Sequence, residues 1–203
     1  MKILMHICCS NCAVYPVLTL QKRGIDVKGF WFNPNIHPYL EYKSRLDALR
    51  KLERLWGLDV KYDDSYGLTE FLRNVVFHEK DRCAYCYAVR LERTALMARE
   101  SKVDAFTTSL LVSPYQNIDM INNIGRGLQD KYGVQFHFED FRSGFGEGRR
   151  IAKDLDLYSQ KYCGCIYSEM ERFGKSSRVD VASSLSAMGV AALPSKGKHG
   201  TIR

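Results

Sequence analysis

Seven cysteines stand in three tight groups: Cys8, Cys9 and Cys12; Cys83 and Cys86; Cys163 and Cys165. Cysteines kept only for their small apolar volume have no reason to cluster in this way. An odd number cannot pair off completely as intramolecular disulfides, and structural disulfides are disfavoured in a reducing compartment. Grouped thiolates point instead to metal binding or redox chemistry. Three arrangements fit the spacing. Cys83-Ala-Tyr-Cys86 is half of a structural zinc site, which Cys163-Gly-Cys165 would complete. A CxxC pair opening a helix can also be a thiol–disulfide couple, but such a pair usually follows a strand, and Cys83 follows His78-Glu-Lys-Asp-Arg82. A cubane iron–sulfur cluster takes up to four thiolates. Four from seven leaves three, the usual number holding a catalytic metal with one open position. The count fits one closed cluster beside one open metal ion.

Other residue types bear on that chemistry. Arg90 and Arg93 follow Cys83 and Cys86 at helical spacing, so the four share a face. Guanidinium groups there would stabilise an anionic thiolate cluster. The alternative is that both arginines are solvated or paired with Glu92 or Glu100. Further along, Arg142-Ser-Gly-Phe-Gly-Glu-Gly-Arg-Arg150 is Gly-rich and basic. Arg142, Arg149, Arg150, Lys153 and Lys161 could hold polynucleotide phosphates. Phe141, Phe145, Tyr158 and Tyr162 lie among them and could stack on unpaired bases. A solvated basic helix with aromatic core contacts is the plainer alternative. The whole chain carries 30 Lys and Arg against 23 Asp and Glu, a net charge of +7, which favours a polyanionic partner.

The elements that must position these groups alternate. Strands are expected over Lys2–Ile7, Val27–Asn33, Leu58–Tyr62, Val103–Leu110 and Val134–Glu139. Helices are expected over Asn11–Arg23, Tyr39–Trp56, Leu68–Val76, Ala84–Glu100, Asn117–Lys131 and Glu147–Leu157. The second of these carries Leu46, Leu49, Leu52 and Leu55 on one stripe. Alternation of this kind predicts an α/β fold with a doubly wound, mostly parallel sheet. The length of 203 residues suits one domain, expected over 1–174, with a variable tail over 175–203. Ligands of such sheets bind outside the carboxyl ends of the strands. Cys8 and Cys9 fall past the first strand, Ser113–Asn117 past the fourth and Arg142–Arg150 past the fifth. His37, between Pro34 and Pro38, lies in a loop that could approach the same edge, whereas His6 lies within the first strand.

The first loop, His6-Ile-Cys-Cys-Ser-Asn-Cys12, contains no glycine and none of the phosphate-cradling patterns of nucleotide binders. Thiolates stand where phosphate would sit, so no ATP requirement is expected. The longest uncharged runs, Ala105–Ile118 and Val181–Ser195, are too short and polar to span a bilayer. With no long apolar run and cleavage site at the N-terminus, a cytoplasmic protein is expected.

Four motifs in order, His6-Ile-Cys-Cys-Ser-Asn-Cys12, Arg82-Cys-Ala-Tyr-Cys-Tyr87 with Arg90, Ser113-Pro-Tyr-Gln-Asn117 and Tyr162-Cys-Gly-Cys165, resemble those of the epoxyqueuosine reductases of the QueH type. The resemblance runs from about Met1 to Phe173. It implies the last step of queuosine synthesis, reduction of epoxyqueuosine at the tRNA wobble position. It also implies an adenine-nucleotide α-hydrolase-like (HUP) Rossmann-type fold, a [4Fe–4S] cluster and an adjacent mononuclear iron held by Cys8, Cys9, Cys12, Cys83, Cys86, Cys163 and Cys165, with no cobalamin. Within that frame Cys83 and Cys86 are assigned to the cubane, and the other groups divide between cubane and iron. Tyr115, Gln116 and Asp119 are candidates for positioning or proton transfer. No flavin or nicotinamide motif is present, so an external donor of the ferredoxin or flavodoxin type is expected. Competing readings are an ATP-dependent iron–sulfur tRNA thiolation enzyme, a zinc-stabilised RNA-binding module and a cytosolic thiol reductase.

Overall fold

The computed structural model describes residues 1–174; the expected tail, 175–203, lies outside the described residues. Five strands form one sheet: β1 (Lys2–His6), β2 (Asp26–Trp31), β3 (Val60–Tyr62), β4 (Ala105–Thr108) and β5 (Gln135–Phe136). Their order is β3-β2-β1-β4-β5, and every pairing is parallel. Seven helices connect and flank them: α1 (Ser10–Lys22), α2 (Tyr39–Trp56), α3 (Leu68–Val75), α4 (Arg82–Glu100), α5 (Ile118–Tyr132), α6 (Phe145–Asp154) and α7 (Ile166–Phe173). Parallel neighbours need crossover connections, and helices supply them. The central strands are buried on both faces, which is why β1 and β4 read as continuous apolar or small-residue runs. One helical layer contains α1 against α2 and α6; the other contains α4 against α5 and strands β1 and β4.

Boundaries differ from expectation where tertiary contacts decide them. The fourth strand stops at Thr108, and Ser109–Val112 coils into a short 3-10 turn because Thr108 Oγ1 accepts the amide of Leu110. The fifth strand is two residues long, as an edge position leaves one side unpaired. Leu46, Leu49 and Leu52 are buried, but Leu55 is half exposed at the end of α2. Helix α7 has no counterpart among the expected helices. Close approach dictates one glycine: a Cβ on Gly144 would collide with the ring of Tyr15, so only glycine lets the start of α6 seat on α1.

Candidate metal centre

From β1 the chain runs outward to β2 and β3, then returns to place β4 on the other side of β1. The connections therefore diverge at the carboxyl ends of β1 and β4, and the crevice there is the ligand position of this architecture. Cys8 and Cys9 follow β1; Ser109 follows β4. The two loops are joined by Cys8 N donating to Ser109 Oγ at 3.1 Å and the Ser109 hydroxyl donating to Cys8 Sγ at 3.4 Å.

Each cysteine group sits at the start of a helix. Cys9 is the N-cap of α1, its sulfur accepting the amide of Cys12 at 3.3 Å. Cys83 lies in the first turn of α4. Cys165 is the N-cap of α7, its sulfur accepting the amide of Ser168 at 3.4 Å. A helix N-terminus carries partial positive charge and favours thiolate over thiol. Three such ends turned toward sulfur make an anion-stabilising setting before any metal is considered.

The ligand atoms of Cys8, Cys9 and Cys12 all lie within 4.8 Å of one another, and all three residues are buried. Cys8 and Cys9 sulfurs are 3.8 Å apart. A tetrahedral ion with metal–sulfur bonds of about 2.3 Å needs sulfurs roughly 3.8 Å apart. The Cys8–Cys9 pair has that spacing and the triad supplies three ligand atoms, so these residues fit a thiolate-bound metal. Thiol hydrogen bonds from Cys12 and Cys9 pull the Cys8 thiol well below its ordinary range. Burial pushes Cys9 up, and proton sharing with Cys8 and Cys9 pushes Cys12 up. A cation bound there would displace the thiol protons that remain.

The other four cysteines lie near one another. Cys86 and Cys165 pack together with Phe71 and Val75, while Cys83 and Cys163 are exposed. Burial pushes the Cys86 thiol up to about 12, and the neighbouring Cys163 and Cys165 add to the rise. Cys83 is raised for the same reasons, burial first. Arg90 opposes this. Its guanidinium is buried, makes no ion pair with a carboxylate among the described residues, and donates to Cys86 Sγ and to the Cys86 carbonyl, each at 2.9 Å. A buried cation aimed at sulfur fits an anionic thiolate-bound group and little else. Arg93 plays no such part; it turns away and pairs with Asp63 at 3.0 Å.

Arg45 ties the third cysteine group to the rest. It is fully buried, paired with Glu41 at 2.7 Å, and donates to the carbonyls of Cys163 and Tyr162 at 2.8 and 2.9 Å. Gly164, with φ at 151°, lets the chain turn against it. His37 reaches the same turn, its amide donating to the Gly164 carbonyl at 2.8 Å. His6 is a buried core residue bonded to Thr108, Phe32 and Asn33. Two amides complete the surroundings: Gln160 Nε2 donates to Cys9 Sγ at 2.9 Å, and Gln116 Nε2 donates to Cys163 Sγ at 3.5 Å. Tyr87 donates its hydroxyl to Gln116 Oε1 at 2.9 Å.

A cavity of about 710 Å³ opens over these sulfurs, lined by Cys8, Cys12 and Cys163 and by polar side chains including Asn11, Gln116 and Gln160. Tyr115, Arg149 and Lys161 also line it. Arg142, Arg150 and Lys153 do not; Arg142 is paired with Asp140 at 2.6 Å, and Arg150 reaches Asp154 at 3.5 Å. Asp119 is exposed in the first turn of α5, away from the cavity wall. Of the four interleaved aromatics, Phe141 is buried in the core and Tyr158 bonds to Glu41; Phe145 and Tyr162 line the cavity, Tyr162 also bonding to the His37 carbonyl. Arg45, Gln160 and Ser109 were not singled out in the sequence, and Tyr87 stood in a motif without a role. Only Arg45 left a signal, a Glu41–Arg45 pair four residues apart inside the apolar stripe of α2.

The sequence model of the family described as epoxyqueuosine reductase QueH matches residues 3–171. The QueH of Dehalococcoides mccartyi is 41% identical over 174 residues, covering 86% of this chain and 96% of that one. The QueH of Thermotoga maritima is 39% identical over 188 residues, covering 87% and 95%. Among solved structures, the U34-tRNA thiolase NcsA from Methanococcus maripaludis with its [4Fe-4S] cluster superposes with a TM-score of 0.56 at 18% identity, covering 93% of this chain and 67% of that one. That likeness is one of fold. Among the described residues, no helix is long and apolar enough to cross a membrane. The four motifs, the cavity shared by Cys8, Cys12 and Cys163 and the match across nearly the whole described chain agree, and the chain belongs to the epoxyqueuosine reductase QueH family.

Proposed function

We propose that this chain reduces epoxyqueuosine to queuosine at the wobble position of tRNA in the cytoplasm. The reaction adds two electrons and two protons to an epoxide, breaks both of its carbon–oxygen bonds, forms the alkene and releases water. The observation that carries the reading is the buried triad of Cys8, Cys9 and Cys12, two of whose members share one cavity with Cys163 of another cysteine group. Cys83, Cys86, Cys163 and Cys165 would hold a [4Fe–4S] cluster, and Cys8, Cys9 and Cys12 would hold a single iron. When bound, these groups supply single electrons and Lewis acidity toward the epoxide oxygen.

The protein's own residues do the rest. Gln160 and Ser109 orient the triad through their bonds to Cys9 and Cys8. Arg45 holds the Cys163–Cys165 turn against the triad. Gln116, bonded to Cys163 on one side and Tyr87 on the other, orients that thiolate at the cavity wall. Burial pushes Tyr87 up to about 12, so its hydroxyl keeps its proton at neutral pH. Arg149 and Lys161 meet phosphates at the cavity, with Arg142, Arg150 and Lys153 contributing longer-range attraction. Electrons come from a ferredoxin- or flavodoxin-type donor, and neither ATP nor cobalamin takes part.

The test begins with iron, zinc and acid-labile sulfide per chain on protein purified without oxygen. About four sulfides with iron in excess, followed by turnover of epoxyqueuosine-containing tRNA without ATP, is the expected result. Zinc alone, with no sulfide after anaerobic reconstitution, would sink the mechanism in favour of a zinc-stabilised RNA-binding module. Turnover that thiolates tRNA and needs ATP would favour the thiolation enzyme.

A further inference from the structure

We propose that Tyr115, Phe145 and Arg149 form a stacking platform at the cavity mouth for an unpaired nucleobase beside the reacting nucleotide. The proposal rests on the reductase reading, which makes RNA the substrate.

Tyr115 is 82% exposed, an unfavourable position for a large aromatic ring unless it meets a partner. The ring is held in place. Pro114 precedes it, its amide donates to Ser113 Oγ at 3.3 Å, and the Asn117 side chain caps α5 two residues later. Phe145, the first residue of α6, meets Tyr115 edge to face, with centroids 6.1 Å apart and planes at 83°. Arg149, one turn along α6, places its guanidinium carbon 5.7 Å from the Phe145 ring centre. Gly144 seats this helix on Tyr15, so the three groups share a fixed base. All three line the cavity that holds Cys8, Cys12 and Cys163.

An exposed aromatic ring backed by a half-buried one and a delocalised cation matches the chemistry of a nucleobase and its phosphate. Bases of a duplex hide their faces, so the occupant is a single-stranded base in a loop. The reacting group must reach the sulfurs inside the cavity. The exposed Tyr115 ring at the rim is left for the flanking nucleotide. Lys161 and Arg172 line the same cavity and extend the positive surface.

The experiment measures binding of a fluorescent anticodon stem-loop RNA, and of a blunt RNA duplex, to the full-length, anaerobically loaded protein. Tyr115→Ala and Phe145→Ala should weaken stem-loop binding roughly tenfold to a hundredfold, with duplex binding unchanged. Tyr115→Phe should keep stem-loop binding within about twofold, because the ring face and not the hydroxyl makes the contact. In turnover assays Tyr115→Ala should raise KM for tRNA and leave kcat at saturation. Melting temperature controls for folding, and an exposed ring should not move it. The proposal fails if Tyr115→Ala binds the stem-loop like the wild type, or if Tyr115→Phe is as weak as Tyr115→Ala. It also fails if Tyr115→Ala slows reduction by a ferredoxin or flavodoxin with RNA binding intact, since the surface would then serve the electron donor. Tyr115-dependent stem-loop binding without any epoxide reduction by the wild type would defeat the reductase reading and leave the platform standing.

Discussion

Replacing Arg90 by methionine removes a buried positive charge that lies against Cys86 Sγ at 2.9 Å and makes no ion pair with a carboxylate among the described residues. Methionine keeps most of the side-chain volume, so packing changes little. An electron entering a group bound by the four-cysteine set spreads over several ångströms. At an effective separation of about 7 Å and a dielectric of about 20, the lost attraction is about 2.4 kcal/mol. For a one-electron couple that is about 100 mV toward more negative potential. The assay is an anaerobic redox titration followed by EPR or absorbance, with sulfide content measured on the same sample. Arg93→Met is the control, because Arg93 carries the same charge on the same helix yet pairs with Asp63 and is partly solvated. Screening should hold its effect to a small fraction of the Arg90 shift. Equal potentials in wild type and Arg90→Met, with full sulfide retained, would refute the view that this guanidinium serves the thiolate-bound group. Equal shifts from both arginines would show a general surface-charge effect.

Three further outcomes are expected. Cys12→Ser should lose the iron in excess of sulfide and keep the sulfide, whereas Cys86→Ser should lose the sulfide; the reverse pattern would exchange the two ligand sets. Gly144→Ala drives a methyl group into Tyr15, so it should cost about 1–3 kcal/mol, lower Tm by roughly 2–4 °C per kcal/mol and weaken RNA binding by shifting α6; an unchanged Tm would show that the α1–α6 contact yields freely. Burial lowers His6 from 6.5 to about 3, so it folds neutral. Its contribution is fully present above pH 6.5 and is lost as the pH falls toward 3. Urea unfolding of metal-stripped protein should therefore lose about 3 kcal/mol between pH 7 and 4 from this group, a loss that His6→Gln should abolish.

The alternation of strands and helices, and with it the parallel sheet, was legible because buried strands and amphipathic helices leave different periodicities. The gathering of Cys83 and Cys86 with Cys163 and Cys165 was not. It depends on how α4 lies across β1 and β4, and nothing in Arg82-Cys-Ala-Tyr-Cys86 encodes that packing. Helical spacing put Arg90 and Arg93 on one face, but it could not tell which would turn to sulfur; Asp63, far away in the chain, took Arg93. Arg142 illustrates the same point, since Asp140, two residues away, already neutralises it. Gln160 touches Cys9 from a loop of no recognisable pattern, and an amide of this kind acquires meaning only from what folds next to it.

The two sulfur sets differ in their access to solvent. Cys8, Cys9 and Cys12 are all buried, while Cys83 and Cys163 stand at the surface. On the reading proposed above, an electron donor would bring its own centre to the exposed pair, and that edge would be the doorway for electrons. Dioxygen and peroxide arrive through the same doorway, and thiolates within their reach are the first to oxidise. Efficient wiring to a donor and vulnerability to air are therefore one property of this fold. Ageing in air should begin at Cys83 and Cys163, ahead of Cys86 and Cys165, which are buried beside them.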